Sequence, residues 1–320
     1  MTRSVISIAL LLVFSNFSFA DSNGDNWPQK PITLVVPYGA GGSTDIIARQ
    51  FADFASRRLN QTVIVENRPG AGTNIGSSNV ARAKPDGYTL LFGVDTLVTN
   101  PIIGPAPPFE RGKSLQGISL ISMLPGVIAA NPQFQATDIQ DLVKRAKQNP
   151  EKYTIASASL FLQIDLVNDY LGTSLKHIPY KGGAQASADT VGGQVDLVFS
   201  NIPVVLELIK SKKLRAIAIT SDQRSASLPQ TPTLKESVDP KAVFYNWYAL
   251  FAPKTTPDLV IKKMTAISHQ FVKDEDISKK LESQGFIPKA TTPEELETFM
   301  DQESIRIQNF ARLHPELIVK

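Results

Sequence analysis

A short glycine-rich segment holds the residues best able to bind a ligand. It runs from Pro37 to Asp45, with Gly41 and Gly42 adjacent, between an apolar β-branched run and an amphipathic stretch. Glycines let the backbone turn with its amides exposed, and a helix that follows adds unpaired N–H groups and the positive end of its dipole. This order of strand, loop and helix predicts a site that binds an anion through main-chain donors.

A purely structural interpretation of the same segment stays open. Gly41 and Gly42 would then only permit a tight turn, while Ser43 or Thr44 caps the helix. Asp45 at the helix start favours loop bracing or capping over general-base catalysis, because the dipole lowers its basicity. No Lys follows the glycines and the dinucleotide fingerprint spacing is missing, so nucleotide binding is disfavoured.

A second glycine-rich segment, Asn67 to Gly76, joins another strand to a short helical stretch and carries Asn74. Ligands of open α/β sheets settle at the carboxyl ends of the strands, where neighbouring loops meet. The two loops therefore predict two sets of donors for one carboxylate, although Asn and Gly also form ordinary turns.

Alternating strand and helix patterns must position these loops. Predicted strands in the first half are 32–36, 62–66 and 88–92, with an amphipathic helix reaching about Leu59. A second series follows, with strands at 127–130, 153–156, 195–199 and 214–220 and helices at 138–148 and 204–211. A returning strand, 244–251, and helices at about 257–272, 277–284 and 293–313 complete the chain.

This order predicts an α/β fold with two lobes and two hinge crossovers, and hence a cleft. The first lobe is expected to hold residues 21–124 and 247–303, and the second 125–246 and 304–320.

The first 20 residues have the pattern of a secretory signal peptide. Arg3 precedes an apolar run from Val5 to Phe14, and small residues end the stretch at Ala20. The apolar run is shorter than the roughly 20 residues that cross a bilayer. We therefore expect export to the periplasm and a mature chain starting near Asp21.

Composition and motifs argue against catalysis, metals and nucleic acid. The chain has no Cys, which excludes disulfides, thiolate metal sites and thiol catalysis, and its +3 charge is scattered rather than massed. The three histidines, His177, His269 and His314, lack metal-site spacing, and no Gly-x-Ser-x-Gly elbow occurs. We expect no cofactor, no metal and no enzyme, and a structural role for His177.

The chain resembles the solute-binding receptors of tripartite tricarboxylate transporters, the TctC-like or Bug family. The strings that carry the resemblance are Trp27–Tyr38, Gly41–Asp45, Val65–Gly76, Pro85–Leu91, Asn100–Pro101, His177–Gly182, Gly193–Asp196, Lys210–Thr220, Pro232–Thr233 and Trp247–Pro253. It implies a monomeric Venus flytrap binding protein that holds a mono-, di- or tricarboxylate between its lobes and delivers it to membrane permease subunits. A sensor that presents its closed form to a signalling partner needs the same cleft and stays open as an alternative.

The resemblance also implies where the ligand lies. The loop from Tyr38 to Asp45 would form the floor of the carboxylate site, with Asn74 and Thr96 on the first-lobe wall and Ser200 and Asn201 approaching from the second lobe. With two serines discussed next, the predicted ligand-binding residues are Tyr38, Gly41, Gly42, Ser43, Asp45, Asn74, Thr96, Ser157, Ser159, Ser200 and Asn201.

One segment departs from the family pattern. Members commonly have Gly-Ser/Thr-x-x-His-Leu before a second-lobe helix, whereas this chain reads Ser157, Ala158, Ser159, Leu160, Phe161 and Leu162. We expect Ser157 and Ser159 to supply the polar contact from shifted positions. Leu160 and Phe161 either make the cleft wall more apolar, which implies an unusual ligand, or belong to the helix core.

Overall fold

The computed structural model describes residues 26–158, 161–180 and 182–317. The predicted signal peptide at residues 1–20, together with Ser159 and Leu160, lies outside the described residues. The first part of the chain contains β1 (Ile32–Val36), α1 (Ser43–Leu59), β2 (Val63–Asn67), α2 (Asn74–Ala81), β3 (Thr89–Val94), α3 (Thr96–Ile103), α4 (Arg111–Ser114) and β4 (Leu115–Ala130).

The middle of the chain contains α5 (Ile139–Gln148), β5 (Thr154–Ala158), α6 (Phe161–Leu171), β6 (Lys176–Tyr180), α7 (Gly183–Val191), β7 (Leu197–Asn201), α8 (Ile202–Lys210), β8 (Arg215–Ile219) and α9 (Leu234–Ser237). The last part contains β9 (Tyr245–Pro253), α10 (Asp258–Lys273), α11 (Glu275–Ser283), β10 (Ile287–Pro288) and α12 (Pro293–Leu313). Most of the predicted strands and helices are present within a few residues of their expected bounds.

The strands form two sheets that share β4. In the first sheet the order is β2-β1-β3-β9-β4-β10, with β1, β2 and β3 parallel and β9 antiparallel to β3. In the second sheet the order is β6-β5-β7-β4-β8, with β5 parallel to both neighbours and β4 antiparallel to β7 and β8. The chain is thus an α/β protein with a mixed sheet arrangement and two lobes.

The long strand β4 passes from one sheet into the other at Pro125 and Gly126. Pro125 is the last β4 residue paired with β9, opposite Tyr245, and Gly126 is the first paired with β7, opposite Asn201. A Cβ atom on Gly126 would lie 2.2 Å from Cζ of Phe199, so no larger residue fits without moving that ring. The crossing therefore depends on a glycine.

The predicted start of β4 was wrong. The sequence predicted strand from about residue 127, whereas β4 begins at Leu115. Gly117, Pro125 and Gly126 are residues typical of turns, which is why the sequence did not indicate a continuous strand here. Pro125 is tolerated because it lies where β4 leaves one sheet for the other, so its missing N–H group does not interrupt the hydrogen bonding within either sheet.

Each sheet has an apolar core on both faces because alternate strand residues point to opposite sides. Leu34 and Val36 pack in one first-lobe core while Val35 packs in the other. In β4, Ile128 and Val127 separate in the same way between the two second-lobe cores.

Helix α12 contributes to the cores of both lobes. Leu296 and Met300 pack in a first-lobe core with Trp247, whereas Ile307 and Phe310, two turns further on, pack in a second-lobe core. Helix α12 therefore connects the two lobes beside β4 and β9.

Candidate functional site

The segments that follow β1, β3 and β7 meet the start of β9 at one edge between the lobes. Parallel β1 and β3 end at the loop before α1 and at Asp95, and antiparallel β9 enters that edge at Asn246, two residues before Tyr248 pairs with Val94. From the second lobe, β7 ends at Asn201 in the same place. The edge is where ligands of such sheets bind.

The glycine loop after β1 leaves open space on one side. Gly41 has φ of 85°, a left-handed conformation that favours glycine, and Gly42 is the N-cap of α1. Cβ atoms placed on Gly39 or Gly41 would meet no atom within 4 Å. Because Gly42 has no side chain to cap α1, the first N–H groups of the helix depend on another acceptor.

Asp45 braces this loop from within. Its Oδ2 accepts hydrogen bonds from the Gly41 N–H group at 3.0 Å and from Arg49 Nε at 2.9 Å, and its Oδ1 accepts from Asn67 Nδ2 at 2.9 Å. Burial alone would raise the pKa of Asp45, yet these donors hold it below its ordinary value. Asp45 therefore stays ionised.

This bracing changes the roles expected of two predicted site residues. The Gly41 N–H group is already used by Asp45, so the main-chain donors that remain for an anion are those of Gly42 and the first turn of α1. The carboxylate of Asp45 shapes the loop, in agreement with the bracing interpretation of the sequence, and a ligand contact through it stays a prediction.

Ser43, the first residue of α1, joins the two lobes directly. Its Oγ accepts a hydrogen bond from Tyr248 Oη at 2.9 Å and another from Asn201 Nδ2 at 3.1 Å. Ser43 and Tyr248 belong to the first lobe and Asn201 to the second, so the lobes touch across the predicted ligand loop.

Burial, followed by the nearby Asp95 carboxyl, raises the pKa of Tyr38, while burial and Asp95 also raise that of Tyr248. Both phenols therefore remain hydrogen-bond donors.

The other first-lobe residues of the predicted site are engaged within their own lobe. Asn74 Nδ2 donates to the Pro105 carbonyl at 2.7 Å, and Asn74 Oδ1 accepts from Asn100 at 3.2 Å. Thr96 Oγ1 lies 2.6 Å from Thr73 Oγ1. Both residues hold the loop before α2 against α3.

In the second lobe, Ser200 and Ser157 lie in different surroundings. Ser200 is buried near the α7 N-terminus, where a Cβ on Gly183 would lie 3.8 Å from its Oγ. Ser157 is fully buried, and its Oγ lies 2.8 Å from His177 Nε2. Burial lowers the pKa of His177, which keeps the ring neutral. A ligand contact by Ser157 stays a prediction.

Three further residues at the edge carried no signal in the sequence. Asp95 Oδ2 accepts from Gln163 Nε2 at 3.2 Å, and Gln163 Nε2 also donates to Asn246 Oδ1 at 2.9 Å. Asn246 Nδ2 then donates to Asn201 Oδ1 at 2.6 Å. With the bond from Asn201 to Ser43, these five residues form a continuous chain, here called the amide relay.

Among residues 26–158, 161–180 and 182–317, no three His, Asp or Glu side chains are grouped so that they could hold a metal ion. No helix within those ranges is long and apolar enough to cross a bilayer.

The model of the tripartite tricarboxylate transporter family receptor, TctC, matches residues 47–312. The chain belongs to this family. The TctC match begins within α1 and ends at the last turn of α12, so it includes both lobes and the relay residues Asp95, Gln163, Asn201 and Asn246.

Relatives of this TctC-family chain cover nearly its whole length. BugT of Bordetella pertussis is 32% identical over 309 residues, which is 95% of this chain and 94% of BugT. The structure of the periplasmic binding protein BugD is 33% identical with a TM-score of 0.80 and covers 89% of this chain and 98% of BugD.

Two solved structures of similar proteins contain dicarboxylates. Rpa4515 of R. palustris with adipate is 27% identical, has a TM-score of 0.83 and covers 89% of this chain and 97% of its own. MatC from Rhodopseudomonas palustris with bound malate is 26% identical, has a TM-score of 0.79 and covers 88% and 99%.

Proposed function

We propose that this TctC-family receptor captures a small organic carboxylate in the periplasm, between two lobes that span 21–124 with 247–303 and 125–246 with 304–320, and passes it to a tripartite transporter. The observation that carries the proposal is the glycine loop before α1. It faces open space on one side, leads into the uncapped start of a helix, and lies against Asn201 of the opposite lobe.

The chemistry of the loop supports an anionic ligand. Unpaired N–H groups and the helix dipole favour negative charge at the start of α1. Tyr248 and Asn201 add side-chain donors that already converge on Ser43 Oγ. Adipate and malate in the two similar proteins show that this scaffold accepts dicarboxylates, which supports the same ligand class here.

Thermal unfolding of the purified mature chain with a panel of mono-, di- and tricarboxylates tests this proposal. A ligand present at about 100 times its Kd stabilises the folded state by about 2.7 kcal/mol, which raises Tm by several degrees. Neutral amides of the same acids serve as controls. A panel in which no acid raises Tm contradicts the proposed ligand class.

A matched pair of variants tests whether the ligand binds at the glycine loop. Gly39 has room for a side chain, so Gly39→Asp and Gly39→Asn should both fold. The added carboxylate repels an acid group by a few kcal/mol at about 5 Å, so Gly39→Asp should weaken binding by about 10- to 100-fold more than Gly39→Asn. Equal affinities of the two variants for the acid would indicate that it binds away from this loop.

The transport role is tested in cells. Uptake of the best radiolabelled acid from the panel should fall in a strain that lacks this chain and return when it is supplied. Unchanged uptake together with binding in vitro would favour the sensor alternative.

A further inference from the structure

The amide relay crosses between the lobes twice. Asp95 before α3 and Ser43 at the start of α1 belong to the first lobe, whereas Gln163 in α6 and Asn201 at the end of β7 belong to the second. Asn246 lies at the start of β9, beside the crossing of β4. The bonds from Gln163 to Asp95 and from Asn201 to Ser43 must break when the lobes separate.

The relay is shielded from water for most of its length. Gln163 is 8% exposed and Asn246 6% exposed. Opening exchanges each bond between the lobes for bonds to water, so each bond favours the closed arrangement by a modest net amount.

The hydrogen bonds of the relay have a direction. The NH2 group of Gln163 donates to Asp95 Oδ2, and a carboxyl group keeps an accepting oxygen in both of its protonation states. The same NH2 group reaches Asn246 Oδ1, which leaves the Asn246 NH2 group for Asn201 Oδ1. The donor end of Asn201 consequently faces Ser43 and the glycine loop.

We propose that the amide relay latches the lobes together and fixes the NH2 group of Asn201 toward the glycine loop, which makes Gln163 and Asn246 positioning residues for carboxylate recognition. Neither residue has a described hydrogen bond to the loop. The first part of this proposal, the latch, is argued from the hydrogen bonds between the lobes alone. The second part, the role in carboxylate recognition, rests on the proposed function. With the relay intact, Asn201 offers a donor to an acid group, whereas with the relay cut its amide is free to turn its oxygen to the ligand.

The latch is measured without ligand. Because the chain has no Cys, Asp53→Cys in α1 and Glu207→Cys in α8 supply a unique pair of spin-label sites, and their side chains are 70% and 83% exposed. Both helices start at the contact between the lobes, so opening lengthens the distance between the labels. Gln163→Met and Asn246→Leu are introduced separately, each keeping similar side-chain volume without the hydrogen bonds.

Gln163→Met removes the bond to Asp95 and should lower the ratio of closed to open molecules about fivefold, the effect of one hydrogen bond between the lobes. Asn246→Leu removes the support of Gln163 and Asn201 and should shift the ratio in the same direction by less. Gln50→Leu is the matched control, since it removes a first-lobe bond between two glutamine amides, Gln50 and Gln284, at 3.1 Å. It should leave the distances as in the wild type. Circular dichroism and urea unfolding verify that all variants fold. Unchanged distances in both relay variants, or an entirely open wild type, would overturn the latch.

The recognition half is measured by calorimetry with adipate and its monoamide, and with malate and its monoamide. In the wild type the acid should bind more tightly than the amide, and the ratio of their Kd values should shrink about fivefold in Gln163→Met but not in Gln50→Leu. An unchanged ratio refutes the positioning role. If the wild type binds neither acid, the proposed ligand class fails for these acids, and the label distances alone decide the latch.

Discussion

The buried carboxyl of Asp95 should make the stability of the protein fall as the pH rises. Asp95 lies between β3 and α3, and burial followed by the like charge of Glu303 raises its pKa to about 7, against the opposing effects of the Thr96 N–H group and Arg306. Tyr38, Tyr248 and Gln163 also face this group. The folded protein therefore holds a proton on Asp95 that the unfolded chain has released.

The magnitude follows from the difference between pKa values of about 7 in the folded chain and 3.8 in the unfolded chain. More protons are bound in the folded state between these values, so the free energy of unfolding decreases with pH across that interval. The full effect is about 4 kcal/mol, of which about 3 kcal/mol falls between pH 5 and 8.5. The contribution is complete below pH 3.8 and is lost as the pH passes 7.

Urea unfolding of the wild type and Asp95→Asn at several pH values between 5 and 8.5 measures this effect. Asparagine keeps an oxygen that can accept from Gln163 but does not ionise. The wild type should lose about 3 kcal/mol relative to the variant over the range. Asp141→Asn is the control, because Arg145 lowers the pKa of Asp141 and this carboxyl stays ionised throughout. Parallel curves for the wild type and Asp95→Asn would refute the reasoning.

Three further substitutions test the loop, the crossing and the connecting helix. Asp45→Asn should cost about 1 kcal/mol at pH 7, because its arginine partner is half exposed. Since the pKa of Asp45 is lowered, this cost should decrease as the pH falls below 3.8; urea unfolding at pH 7 and 3 measures it, and a constant difference contradicts it. Gly126→Ala should cost at least 1–3 kcal/mol because its Cβ would overlap the Phe199 ring, whereas Gly112→Ala, with open space around it, should not destabilise the protein; equal Tm values would be inconsistent with the close approach. Thr292→Ala removes the capping box of α12 and should cost about 1 kcal/mol, measured in the same urea titration, and no loss would mean that the cap is dispensable.

The sequence predicted local features well because their signals lie close together in the chain. The strand from Ile32, the glycine loop and α1 follow one another without interruption, so their order could be predicted from the sequence. The long helix from Pro293 starts with Thr292 and Glu295, a capping pair that the structure shows formed. Helices α3 and α7 were missed, since their apolar residues have no clear helical period.

The amide relay had no comparable signal. Gln163 lies 68 residues from Asp95 and 83 from Asn246, and each is a polar residue of common type outside any motif. Their meeting depends on how the two lobes pack, which periodicity and composition do not specify. For the same reason the sequence did not indicate that the packing of β5 on β6 brings Ser157 to His177, and a ligand contact by Ser157 stays a prediction.

Strand β4 and helix α12 also determine how the chain can be divided. The second half of β4 lies between β7 and β8, and the first half lies beside β9. Ending the chain within this strand would therefore disrupt strand pairing in both sheets. A fragment that ends there would expose the apolar residues that α12 covers on either side. The gene is therefore a poor candidate for separate expression of its halves, and calorimetry of the intact protein should show a single melting event.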